Sequence, residues 1–158
     1  VRARELMRTP AVTVPPSATL VETAQQMRER TVGCVVVWSD GTVQGIVTDR
    51  DLAVRGLAAE VSAGAPVSDV MTAPVLTVRA EDDVDVAYQA MHRAGVRRLP
   101  VVDGSRLIGL VTLDDLLMDV SRRLGEVLEP LAWCALGELP GPPHSAEVAH
   151  KPQRAPGL

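Results

Sequence analysis

Two threonine–aspartate pairs have the residue types and spacing to do chemistry: Thr48 with Asp51 in GIVTDRDL (45–52), and Thr112 with Asp115 in GLVTLDDL (109–116). A hydroxyl followed three residues later by a carboxylate serves two purposes. As a capping box it closes a helix N-terminus, each side chain taking an orphan backbone N–H. As a ligand hook at a strand-to-helix turn, the carboxylate accepts from vicinal hydroxyls and the threonine hydroxyl donates to a phosphoryl oxygen. The free N–H groups of the helix start favour the same anion. A glycine three residues ahead of each threonine lets the backbone turn or a ligand come close. The pairs alone leave both readings open, and one pair can serve both.

The other reactive side chains point away from catalysis. The neighbouring carboxylates Asp82–Asp83 and Asp114–Asp115 come with no nucleophile, base or metal cluster, so no enzyme is expected. Cys34 sits in an apolar run and reads as a core thiol, whereas Cys134 beside Trp133 reads as packing on a terminal helix. Two cysteines without C-x-x-C spacing make neither a disulfide framework nor a zinc site. His92 reads as a surface residue, and His144 and His150 fall in a tail. A net charge of −4, no Phe, one Tyr and two Trp argue against nucleic acid, which needs a basic face or aromatic platforms. No apolar run is long enough to span a membrane, and residues 1–20 lack a signal peptide's apolar core. A cytoplasmic protein is expected.

The elements that must hold the two pairs are written twice. MRTPAVTVPPSATLVETAQQM (7–27) aligns with MTAPVLTVRAEDDVDVAYQAM (71–91), and the offset of 64 persists through Val32 and Val96 to the threonines. Each copy predicts a short strand (AVTV or VLTV) and then a capped helix. Thr19–Glu22 is the first cap, ahead of a Leu20, Ala24, Met27 stripe; Asp82 or Asp83 is the second, ahead of Val84, Ala87, Tyr88 and Met91. A hairpin turning at Asp40–Gly41 or Asp103–Gly104 follows, and a closing helix starts at the motif threonine. The expected fold is α/β (α+β), two β-α-β-β-α units sharing a core with pseudo-twofold symmetry, since one such unit alone buries little surface. The boundaries read as repeat 1 over 1–60, a linker over 61–66, repeat 2 over 67–122, a C-terminal helix over 123–136 bent or broken at Pro130, and a flexible Pro/Gly-rich tail over 137–158.

Tandem units carrying M-x-x-x-V-x-T-V, G-I-V-T-D-R-D-L and V-R-R-L-P-V-V-D resemble a pair of CBS domains, the Bateman module, and TDRDLAVRGLAA is similar to stand-alone bacterial members. The resemblance covers roughly residues 1–125. It implies a regulatory binder of adenosine nucleotides (AMP, ADP or ATP) in clefts between the repeats, with no cofactor required. It also implies a homodimer formed through the helices after each motif, and a separate regulated protein. Family positions make Asp51 and Asp115 the ribose ligands, with Thr48 and Thr112 beside them. A basic residue before the hairpin reaches phosphate in this family. Repeat 2 has Arg97 and Arg98 there, and repeat 1 has Gly33 and Cys34. The expected stronger site is therefore Thr112, Asp115, Arg98 and Arg97 with the base against Val32. The weaker site is Thr48, Asp51 and Arg50 with the base against Val96. The alternative is a structural, dimerising module whose nucleotide sites have decayed.

Overall fold

The computed structural model describes residues 1–136, which fall into a unit at Val1–Asp119 and the start of a second, Val120–Leu158. The expected tail at 137–158, with His144 and His150, lies outside the described residues, as do the side chains of Trp133 and Cys134.

After a short helix α1 (Ala3–Leu6), the first repeat runs β1 (Thr13–Val14), α2 (Leu20–Arg30), β2 (Cys34–Ser39), β3 (Thr42–Thr48) and α3 (Asp49–Asp51), which continues as a π-helical turn over Leu52–Leu57. The second runs β4 (Val78–Arg79), α4 (Val84–Ala94), β5 (Arg98–Asp103), β6 (Arg106–Thr112) and α5 (Leu113–Leu136), with a 3-10 turn at Val67–Asp69 between them. Two three-stranded sheets result, ordered β1-β2-β3 and β4-β5-β6. Their registers repeat the 64-residue offset: β1 pairs parallel with β2 through Val14 and Val37, and β4 with β5 through Val78 and Val101. The leading strands are two residues long, shorter than the four-residue runs predict.

The capping chemistry behaves as the residue types require. Thr19 Oγ1 accepts from Glu22 N at 3.2 Å, and Glu22 Oε2 accepts from Thr19 N at 2.8 Å. Glu22 Oε2 also accepts from Thr19 Oγ1 at 2.9 Å, and the two bonds it receives, backbone first, hold the Glu22 carboxyl below its ordinary range. Asp83 caps α4 through Asp85 N, and Gly95 ends it at φ 65°. One expectation needs correcting: the buried stripe of α2 is Leu20, Thr23 and Met27, and Ala24 is exposed. A polar residue rides the core face because Thr23 Oγ1 donates back to Thr19 O at 2.8 Å, leaving no hydroxyl unsatisfied. The second hairpin turns at Gly104–Ser105, one residue later than expected, because position 104 matches Asp40 and both take positive φ (58° and 51°). Helix α5 passes through Pro130 without a break.

The two cores are completed crosswise. Ala3, Leu6 and Met7 pack with Val84, Leu99 and Val111 of the second repeat. Val67, Val70 and Met71 pack with Leu20, Val35 and Val47 of the first. Backbone pairing follows the same exchange: Arg8 bridges Leu110 of β6, and Thr72 bridges Ile46 of β3. The strands admit these segments at glycine. A Cβ on Gly109 would lie 2.6 Å from Met7 Sδ and 2.8 Å from Arg8 O; one on Gly45 would lie 2.5 Å from Met71 Sδ and 3.0 Å from Thr72 O. Each leading segment thus belongs to the fold of the other repeat.

In the second unit, the described part of α5 exposes Val120, Leu124, Val127 and Leu131 at spacings of four, three and four. No helix among the described residues is long and apolar enough to cross a membrane.

The glycine contacts set an expectation. Gly109→Ala should lower unfolding free energy by about 1–3 kcal/mol, the range for overpacking a filled core. Adding Met7→Ala should not restore it, since the Arg8 carbonyl stays in the way. Urea denaturation of both variants checks this; full rescue by Met7→Ala would place the clash on the methionine alone.

Candidate functional site

Each hook sits where a strand hands over to a helix: Thr48 ends β3 and Thr112 ends β6. The hydrogen bonds are nearly identical in the two copies. Asp51 Oδ2 accepts from Thr48 N (2.9 Å) and Thr48 Oγ1 (2.8 Å), and Asp51 N donates to Thr48 Oγ1 (3.1 Å). The same three bonds join Asp115 and Thr112 at 2.9, 2.6 and 3.3 Å. Both pairs are therefore capping boxes that consume one carboxylate oxygen, Oδ2. The other oxygen, Oδ1, takes no part in the cap. The threonine hydroxyl has given its proton to Oδ2, so while the cap stands it offers a neighbour a lone pair rather than a proton.

Each hook is pinned to the loop that precedes the first hairpin strand of its own repeat. Asp49 N donates to Gly33 O at 3.1 Å, and Leu113 N donates to Arg97 O at 2.8 Å. These bonds bring Gly33–Cys34 and Arg97–Arg98 beside the hooks.

Two clefts open there. The first, about 450 Å³, is lined by Thr48, Asp51, Thr72, Val96, Arg97 and Arg98, with Ile46, Pro74 and Leu76 as apolar wall. The second, about 250 Å³, is lined by Arg8, Val12, Val32, Cys34, Arg98 and Thr112. The first lies within the size range of small-ligand pockets and the second just below it. The predicted residues are distributed as follows. Val96 is with Thr48 and Asp51, and Val32 is with Thr112; Asp115 is not among the residues that line the second cleft and meets it through Arg8, which does line it. Arg98 borders both clefts. Arg97 lines the Asp51 cleft and also a smaller recess with Thr112, so the two arginines stand between the hooks rather than behind one of them. Arg50 joins Arg97 and Arg98 in a neighbouring recess beside Thr48. Among the described residues no carboxylate lies within ion-pair distance of Arg50, Arg97 or Arg98. Three guanidinium groups without a carboxylate partner are an environment for an anion.

Cys34 is buried, and burial pushes its thiol up to about 11, with the Arg98 charge opposing and Asp49 and Asp51 adding to the shift. It stays protonated near neutrality and is no nucleophile. No group of three or more His, Cys, Asp or Glu able to hold a metal occurs among the described residues.

Sequence reasoning missed Arg8. Its Nε donates to Asp115 Oδ1 at 3.0 Å. The matching position in the other copy is Thr72, whose hydroxyl accepts from Arg55 Nη1 at 3.2 Å. Asp51 Oδ1 faces Arg55 Nε at 3.7 Å, beyond hydrogen-bond length. The available signal was MRTP set against MTAP, a charge gained in one copy of a matched segment.

Comparison with known proteins places this architecture. A family model described as the CBS domain matches residues 3–56 and 67–122. The CBS domain-containing protein YhcV of Bacillus subtilis is 35% identical over 116 residues, covering 73% of this chain and 83% of the relative. A crystal structure of Hypoxic Response Protein I with two coordinated zinc ions superposes with a TM-score of 0.67 at 31% identity, covering 75% of this chain and 98% of that one; the protein of that name in Mycobacterium tuberculosis is 32% identical over 126 residues. A CBS domain protein of Pyrobaculum aerophilum, complexed with AMP, superposes with a TM-score of 0.67 at 29% identity, covering 73% and 90%.

Proposed function

We infer the function from one premise: this chain belongs to the CBS domain family and carries two copies of the domain in tandem. We propose that it is a regulatory module, not an enzyme, that takes adenosine nucleotides of the AMP, ADP or ATP type in the clefts of Asp51 and Asp115 and acts on a separate protein. The observation that carries the reading is the divided carboxylate. Oδ2 is committed to the helix cap, so Oδ1, which meets only an exposed arginine (Arg55 Nε at 3.7 Å from Asp51, Arg8 Nε at 3.0 Å from Asp115), can turn to ribose hydroxyls without unmaking the fold. Arg97 and Arg98 supply guanidinium for phosphate, reinforced by Arg50 beside Thr48. Ile46, Leu76 and Val96 offer the base an apolar wall in one cleft; Val12 and Val32 do so in the other. The AMP complex of the Pyrobaculum relative supports the same ligand class. Since both clefts draw residues from both repeats, a ligand that binds one arrangement of the repeats more tightly shifts the module toward it, and a partner reads that shift.

Association of two copies is part of this proposal. Val120, Leu124, Val127 and Leu131 form a seam with the spacing of helix-on-helix packing. Sedimentation equilibrium should find a dimer that Leu124→Glu converts to monomer; a wild-type monomer at tens of micromolar would remove the dimer from the account.

Isothermal titration with AMP and ATP tests the ligand class. Asp51→Asn should weaken binding at the first cleft about tenfold or more, the scale of a lost hydrogen bond to a charged acceptor. Absence of heat, and of any rise in melting temperature with millimolar AMP or ATP, would reject the nucleotide reading.

A further inference from the structure

Arg8 occupies the one oxygen of Asp115 that the cap leaves over. Its backbone is fixed on β6, with Arg8 N donating to Leu110 O at 2.9 Å and Leu110 N donating to Arg8 O at 3.0 Å. Thr9 Oγ1 adds a bond to Ile108 O at 2.8 Å. From that anchor the side chain lines the Thr112 cleft and sets Nε on Asp115 Oδ1. The carboxylate is 13% exposed and the arginine 72%, so the guanidinium lies at the mouth and can leave without unpacking anything. A ribose diol and Arg8 compete for the same oxygen. At the first cleft the corresponding residue, Thr72, is short, uncharged and engaged by Arg55, whose Nε stands 3.7 Å from Asp51 Oδ1, an ion pair without the hydrogen bond that Arg8 makes to Asp115.

We propose that Arg8 is an ionic latch on the second cleft, one that makes the two clefts fill in order and selects phosphorylated ligands at the second. The inference rests on the nucleotide reading above and goes beyond it in ranking the clefts and their ligands. A nucleoside that takes Asp115 Oδ1 strands the guanidinium, and the lost ion pair opposes binding. A nucleotide gives the released guanidinium a phosphoryl group a short swing away, so the loss is offset. The cleft of Asp51 therefore fills first with either ligand, and the cleft of Asp115 discriminates against adenosine.

The test uses Asp51→Asn as background, leaving the second cleft to be read alone. Titration with adenosine and AMP is compared with and without Arg8→Ala. The expected result is that Arg8→Ala strengthens adenosine binding by about fivefold, the scale of an exposed ion pair, while AMP gains nothing and its advantage over adenosine shrinks. The ligand-free protein gives a separate readout: the Arg8 Nε–H resonance in an ¹⁵N spectrum should exchange slowly and lose that protection in Asp115→Asn. Adenosine binding unchanged or weakened by Arg8→Ala, or an Nε–H signal indifferent to Asp115→Asn, overturns the latch. If the Nε–H signal depends on Asp115 but no variant binds either ligand, the nucleotide reading fails and the gating with it, leaving the ion pair as architecture.

Discussion

A carboxylate has two oxygens, and at Asp51 and Asp115 the helix cap takes only one. That division governs the site. Had the cap used both oxygens, the hook would be architecture alone; had it used neither, the strand-to-helix turn would lose the bonds that fix it. Because Oδ2 closes onto Thr48 or Thr112, the residual oxygen is held by the same contacts that start the helix. Preorganisation of this kind removes ordering cost from a later binding step. The threonine hydroxyls donate to Oδ2, so a ligand in the proposed sites would meet them as acceptors.

The crosswise exchange of leading segments sets what stands in front of each remaining oxygen. Arg8 bridges Leu110 of β6 and Thr72 bridges Ile46 of β3, while the segments ahead of them pack into the other repeat's core, so positions 8 and 72 flank the hooks of the repeats they do not precede. The glycines make room for this seating: a Cβ at Gly109 would meet the Arg8 carbonyl at 2.8 Å, and one at Gly45 would meet Met71 Sδ at 2.5 Å and the Thr72 carbonyl at 3.0 Å. A single difference at matched positions, Arg8 against Thr72, therefore becomes a difference between clefts. Arg98 borders both clefts and does not separate them.

Much of this was legible in the residues. The 64-residue offset predicted both sheets; the antiparallel pairs repeat it throughout, and the parallel ladders share it at Val14–Val37 and Val78–Val101. The Thr–x–x–Asp and Thr–x–x–Glu spacings foretold three capping boxes that the backbone forms. What escaped was long-range. An internal alignment says which residues correspond, but it does not say whose core Met7 enters. The Arg8–Asp115 pair spans 107 positions and has no periodic signature. Ranking the clefts by the Arg97–Arg98 dipeptide credited the arginines to the hook of their own repeat. Their backbone is indeed tied there through Leu113 N, yet Arg97 and Arg98 also line the cleft of Asp51. Thr23 was missed for a local reason: a hydroxyl that bonds its own helix backbone can be buried like an alanine.

The central claim is that one oxygen caps while the other binds, and a crystal structure of the AMP complex tests it most directly. The account predicts ribose hydroxyls within hydrogen-bond distance of Asp51 Oδ1, with the Thr48 N and Thr48 Oγ1 bonds to Oδ2 still in place. Ribose held by Oδ2 with the cap opened, or AMP seated away from both aspartates, would contradict it.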